Sequence, residues 1–205
     1  MSVNIKYKNN SIAELTDTGT KTLKTAGKYC EADIIVENTK DGGGATEPYV
    51  EETYDSSGNL TAAVLHGHLA IRSRMFADCS SLKNITIPDS VTNIEGSTFS
   101  GCSSLTSVTI GNGVTNIESS AFSGCSSLTS VTIPDSVTSI GEYAFYACDQ
   151  LTSVTFKGTP SSIGGVIFEG CLKLTTINVP WAEGAVPNAP WGATNATINY
   201  NYTGA

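Results

Sequence analysis

Phenylalanine and cysteine recur along this chain at one fixed interval. Phe76, Phe99, Phe122, Phe145 and Phe168 are each 23 residues apart, and Cys79, Cys102, Cys125, Cys148 and Cys171 keep the same step. Two residue types locked to one period over five cycles require a coil of near-identical turns, each able to bury its apolar face only against its neighbours. Both columns are therefore read as core ladders, in which a side chain touches its own copies. Stacked strands lie about 4.8 Å apart, within reach of a disulfide. Five cysteines at one repeat position cannot all pair with each other, however, and they read as small buried hydrophobes. No CxxC pair with accompanying histidines suggests zinc.

The spacing of apolar residues changes character within a turn. In the best-preserved turn, Leu128 leads into Val131-Thr132-Ile133, whose alternation predicts a strand with Thr132 outward. Pro134-Asp135-Ser136 turns the chain, and Val137 and Ile140 re-enter the core. Gly141 to Phe145 predicts a short helical segment, with Ala144, Phe145 and Cys148 on one buried face. The expected class is thus a β-rich (α/β) solenoid with repeats over 76–187. In the fourth turn Pro160 replaces the valine. A step of 23 beyond the last repeat reaches Trp191, Tyr200 and Tyr202, so residues 188–205 are expected to form an aromatic cap. A step back reaches Ala62, Val64 and Ile71, a weak opening turn within a capping segment over 49–75. Both ends need caps because bare terminal turns would expose apolar surface and strand edges.

Residues 1–40 are not repetitive. Val3-Asn4-Ile5-Lys6-Tyr7 and Asp33-Ile34-Ile35-Val36-Glu37 predict strands of a small β module, and the Gly-rich residues 41–48 read as a linker. The motif Leu128-x-x-Val131-x-Ile133-Pro134-x-x-Val137-x-x-Ile140-Gly141-x-x-Ala144-Phe145-x-x-Cys148 resembles the BspA-type leucine-rich repeat, over about 76–187. That resemblance implies a right-handed leucine-rich-repeat coil with a parallel sheet on one face. It also implies adhesion and recognition roles at bacterial surfaces, and no catalytic residues. The leading segment, with Thr18-Gly19-Thr20-Lys21-Thr22-Leu23 and Ala26-Gly27-Lys28-Tyr29-Cys30, is similar to short modules that open phage tail-associated and prophage proteins. The ending from Val179-Pro180-Trp181 to Tyr200 resembles that of such repeat proteins. By that likeness the chain is expected to be phage- or prophage-encoded, with residues 1–40 attaching it to a phage particle or larger assembly.

Charge narrows the partners. The net charge is −8, with six Lys against ten Asp or Glu in residues 1–60 and five Lys or Arg against nine in the remainder. Nucleic acid is not an expected partner, because a duplex binder needs basic side chains to displace counterions. No stretch approaches the roughly 20 apolar residues of a membrane span, and the start lacks the apolar run of a secretory signal. The expected location is virion-associated or cytoplasmic before lysis, or the cell surface if a signal has been trimmed.

The strand pattern exposes two small polar rows: Asn84, Ser107, Ser130, Ser153, Thr176 and Thr86, Thr109, Thr132, Thr155, Asn178. Two readings fit them. They could be a recognition face of hydroxyls and amides for a protein or carbohydrate ligand, or Ser/Thr ladders that suit and cover a parallel sheet. Trp191 falls in the Phe register and reads as cap, whereas Trp181 is off register and is the candidate for an exposed contact. His66 and His68 lack a third ligand and read as surface or cap residues. Arg72 and Arg74 could meet an anion or stay solvated. No Gly-x-Ser-x-Gly elbow, phosphate loop or thiol with a partner base is present, so no enzyme activity and no cofactor are expected. The expected function is non-enzymatic binding or adhesion to a bacterial-surface or host protein or glycan. The alternative is a purely structural virion or assembly component without its own ligand.

Overall fold

The computed structural model describes residues 3–6, 12–15, 49–66 and 71–204. Strands β1 (Val3–Lys6) and β2 (Ile12–Leu15) form an antiparallel hairpin. The partner of the leading strand is thus a segment that the sequence reading passed over. The stretches 18–23 and 26–30, the run 33–37 and the glycine linker lie outside the described residues.

A second hairpin, β3 (Tyr49–Tyr54) and β4 (Leu60–His66), opens the coil. Its turn is held by Asp55, whose Oδ1 accepts the amides of Ser57 and Asn59, both at 2.9 Å. β4 then pairs in parallel with β5 (Asn84–Ile87), so the hairpin covers the first repeat. The register corrects one expectation. Ala63, not Ala62, lies opposite Ile85, and Val64 lies opposite outward-facing Thr86. The opening turn is one residue short of the repeat, and a slip of one exchanges the two faces of a strand.

Each repeat then adds a long strand and a short one. In chain order these are β6 (Asn93–Ile94), β7 (Ser107–Ile110), β8 (Asn116–Ile117), β9 (Ser130–Ile133), β10 (Ser139–Ile140), β11 (Ser153–Phe156), β12 (Ser162–Ile163), β13 (Thr176–Asn178) and β14 (Thr197–Asn199). The short strands form one parallel sheet, β6-β8-β10-β12. The long strands share another face but divide into two sheets, β3-β4-β5-β7 and β9-β11-β13-β14.

The third face carries turns where a helix was expected, and none of the described residues is helical. Four successive turns here carry two left-handed residues four apart: Arg74 (φ 61) and Asp78 (φ 59), Ser97 (φ 57) and Gly101 (φ 75), Ser120 (φ 60) and Gly124 (φ 72), Tyr143 (φ 58) and Ala147 (φ 52). Such residues cannot extend a right-handed helix. The amides point to the next turn instead, Phe76 to Thr98 O at 2.8 Å, Phe99 to Ala121 O at 2.7 Å and Phe122 to Ala144 O at 2.8 Å. The β-rich solenoid expected is therefore present, built of strands and turns without the short helical segment read over 141–145.

The core is continuous. Phe76, Phe99, Phe122 and Phe145 stack with centroids 5.1–5.2 Å apart and rings within 11° of parallel. Phe168 extends the column at 5.9 Å. Cys102, Cys125, Cys148 and Cys171 are buried free thiols, and Cys79 is disulfide-bonded. The ladder is thus not uniform in its sulfur chemistry. Pro160 is buried at the column of Val91, Val114 and Val137.

The closing turn departs from the 23-residue step. Trp191 is buried and its carbonyl accepts the Phe168 amide at 3.0 Å, as expected from its register. β14 pairs Ile198 with Ile177, two residues early, so Tyr200 and Tyr202 leave their assigned columns. Tyr202 is 36% exposed and seals nothing. Trp181 takes that role. It is only 7% exposed, with its ring 5.3 Å from Phe156 and 6.3 Å from Trp191. The expectation of an exposed Trp181 is therefore wrong: it lies in the bend that follows β13, and its ring packs over Phe156 and Trp191 at the end of the core.

Candidate functional site

The two outward rows of the long strands are not equally accessible. Asn84, Ser107, Thr109, Ser130 and Thr132 are exposed, while Thr86, Ser153, Thr155, Thr176 and Asn178 are half-buried. Towards the C-terminal end the row members bond to one another: Asn178 Nδ2 donates to Thr155 Oγ1 at 3.2 Å, and Asn199 Nδ2 to Asn178 Oδ1 at 2.8 Å. The most exposed hydroxyls flank the place where the long-strand sheet divides, between β7 and β9.

The backbone shows the division plainly. At the start of β7, β11 and β13 an amide reaches back one turn: Thr106 to Lys83 O at 2.9 Å, Thr152 to Thr129 O at 2.9 Å and Thr175 to Thr152 O at 3.1 Å. The threonine hydroxyls repeat the pattern, at 3.1, 3.0 and 3.4 Å. Among the described residues the corresponding bonds from Thr129 to Thr106 are missing. At the far end of the strand Lys157 donates its amide to Ile133 O at 2.9 Å. Pro134 stands one repeat earlier and has no N–H to give to Ile110.

The corners pack closely on either side of this division. Gly111 and Gly113 seat the second turn directly on the first: a Cβ on Gly111 would lie 2.5 Å from the Pro88 carbonyl carbon, and one on Gly113 would overlap Asp89 O. The Asn112 amide donates to Asp89 Oδ1 at 2.6 Å. Gly158 seats the fourth turn on the third in the same way, 2.6 Å from Asp135. Turns two and three stay joined elsewhere, through β8–β10 pairing and the Phe99–Phe122 stack at 5.1 Å. The Thr138 amide also reaches Thr115 O at 2.8 Å. The opening is therefore one-sided.

It forms a cleft of about 520 Å³. Ser107, Thr109, Ser130 and Thr132 line its walls, Val108 and Ile110 reach it from the core, and Asn112 and Lys157 stand at its rim. Val108 is half-buried, whereas its equivalents Ile85, Val131, Val154 and Ile177 are buried. Strand edges, hydroxyls and an apolar floor thus meet in one place. Such a site can bind a solute but lacks a nucleophile with its base.

The thiols are structural. Cys102, Cys125, Cys148 and Cys171 donate to the carbonyls of Phe76, Phe99, Phe122 and Phe145, at 3.0, 3.3, 3.3 and 3.0 Å. Burial pushes the Cys102 thiol up to about 12 and raises that of Cys125 well above the ordinary 9.0. Both stay neutral and unreactive. Of the histidines, His66 closes β4 opposite Tyr49 and His68 lies outside the described residues. Arg74 is exposed and Arg72 half-buried. No group of three or more His, Cys, Asp or Glu that could hold a metal occurs among the described residues, nor is any helix among them long and apolar enough to cross a membrane. Sequence reading missed the exposed pair Tyr143 and Tyr146, edge to face at 5.8 Å, at positions held by serines in the two turns before.

Comparison with solved structures shows the same fold. A leucine-rich repeat protein from T. pallidum is 22% identical, with a TM-score of 0.51 over 74% of this chain and 79% of that one. A leucine-rich cell surface protein from Faecalibacterium prausnitzii is 26% identical, with a TM-score of 0.47 over 76% of this chain and 38% of its own. A leucine-rich repeat protein from Eubacterium ventriosum is 21% identical, with a TM-score of 0.50 over 66% and 37%. The chain thus spans well under half the length of the last two. No curated protein matches it. Residues 69–186 match the BspA type Leucine rich repeat region in 6 copies. That stretch is more than half of the chain, its period is that of the stacked Phe and Cys columns, and the chain belongs to the BspA-type leucine-rich repeat family.

Proposed function

We propose that the protein is a non-enzymatic binding or adhesion module that recognises a protein or glycan of a bacterial or host surface through its long-strand face. One observation carries the reading: the sheet opens between β7 and β9, where the outward hydroxyls are most exposed and the core is partly uncovered. A surface meant only to be covered has no reason to leave strand edges unpaired, because buried or half-buried backbone groups need partners. Family membership supports a surface role. A phage or prophage origin rests on the leading segment alone, and the relatives named above, all from bacteria, add nothing to it.

The test is binding of the full chain to bacterial and host cells, with Ser130→Tyr as the variant that fills the opening. Binding that Ser130→Tyr abolishes supports the strand face, and equal binding by both proteins removes it from the mechanism. The purely structural reading draws on the other end of the coil, where Asn178 and Asn199 extend a bonded ladder without an open site. It expects co-purification with larger particles and no surface binding. Deletion of residues 1–44 should then abolish particle association.

A further inference from the structure

Apart from the long-strand face, we propose a second binding surface on the turn face, where Tyr143 and Tyr146 take an arginine side chain of a basic protein partner. The two tyrosines are 41% and 40% exposed, with rings 5.8 Å apart at 81°. The two preceding turns carry Ser120 and Ser123, and Ser97 and Ser100, at the same positions. Tyr143 stands in the left-handed region at φ 58, which a bulky side chain rarely adopts. Packing does not call for a ring there, because Ser97 and Ser120 hold the same conformation at φ 57 and φ 60.

The mount is fixed on both sides. Ala144 and Phe145, between the tyrosines, are fully buried. The Gly124 amide donates to Tyr146 O at 2.8 Å, the Tyr146 amide to Tyr143 O at 3.0 Å, and the Ala147 amide to Glu169 O of the next turn at 2.9 Å. The backbone under both rings is thus set before a ligand arrives, which lowers the cost of binding.

Charge names the occupant. Residues 84–156 hold six Asp or Glu and no Lys or Arg. The Glu95 and Glu118 carboxylates accept backbone amides of the preceding turns, Ser73 at 2.7 Å and Gly96 at 2.9 Å. Glu142, next to Tyr143, and Glu169, one turn on from Tyr146, are exposed, and their carboxylates accept no hydrogen bond among the described residues. Exposed aromatic rings in an acidic surface attract a cation. Arginine stacks on such a ring and can bind a carboxylate through two hydrogen bonds at once. A neutral sugar would use the rings and not the charge.

Isothermal titration calorimetry of the full chain tests this with capped Gly-Xaa-Gly-Xaa-Gly peptides, Xaa being arginine, lysine, glutamine or glutamate, and with N-acetylglucosamine. The arginine peptide should bind tightest, the lysine peptide more weakly and the others not at all. Tyr143→Ser combined with Tyr146→Ser returns the residues of the earlier turns, so the coil should melt no lower, and arginine-peptide binding should be lost. Glu142→Gln combined with Glu169→Gln should weaken it about tenfold. Asp135→Asn, which removes a charge elsewhere, and Ser130→Tyr should leave it unchanged. Binding that survives the double tyrosine variant, that falls equally in Asp135→Asn, or that is absent altogether would overturn the proposal. A preference for N-acetylglucosamine would also overturn it and make the pair a sugar platform. None of these outcomes bears on cell binding through the long-strand face, which Ser130→Tyr reads separately.

Discussion

Each cysteine of the ladder, from Cys102 onward, serves the turn before it. Its thiol donates to the carbonyl of a phenylalanine 26 residues earlier, and at Phe76, Phe99 and Phe122 that oxygen already accepts the amide three residues on. A small apolar side chain with one weak donor fits that position, which explains cysteine better than burial alone. Phe122, fully buried between two stacked rings, should lose about 3–5 kcal/mol on replacement by alanine. Thr132→Ala, on the exposed row, should lose under about 1 kcal/mol. Urea denaturation of the two variants checks the assignment of faces, and equal losses would contradict it. The thiols also set a pH dependence. The folded value of Cys102, about 12, lies above the ordinary 9.0, so its contribution is intact below pH 9.0 and is lost as pH rises from there towards 12. The urea midpoint should fall over that window under reducing conditions, and fall less steeply in Cys102→Ala.

At the scale of the element, a long strand, a short strand and a corner pack differently in each turn although their sequences repeat. Gly113→Ala places a methyl group against Asp89 O and should destabilise by about 1–3 kcal/mol. Gly165→Ala meets nothing within 4 Å and should change stability far less. Thermal melts of the pair distinguish a seated corner from a loose one. Strand alternation was legible in the sequence because Val131-Thr132-Ile133 has one face in water and one in the core. The third face was not: its left-handed positions carry Arg74, Ser97, Ser120 and Tyr143, which share no local signature. Spacing of Ala144, Phe145 and Cys148 suits a helix and a turn equally. The division between β7 and β9 had a visible source in Pro134 and in Gly111 and Gly113. Its effect depends on whether neighbouring corners pull together or apart, which no single repeat reveals.

Across the whole molecule, periodicity fixed the interior and failed at the ends. Phe and Cys columns could be assigned because identical residues must stack when turns are identical. The caps break the period by one residue at β4 and by two at β14, and there extrapolation misplaced Ala62, Tyr200 and Tyr202. Trp181 escaped because its burial comes from a segment folding back over Phe156, a contact unrelated to the repeat. The hydroxyl rows were found from alternation, but their uneven exposure follows from the split sheet. Residue-resolved amide hydrogen exchange on the full chain measures both the stacking and its one interruption. The Thr106, Thr152 and Thr175 amides, each bonded to the preceding turn, should exchange slowly, while Thr129 at the same repeat position should exchange fast. Protection of Thr129 equal to that of Thr152 would mean that the long-strand sheet runs unbroken and that no cleft opens between β7 and β9.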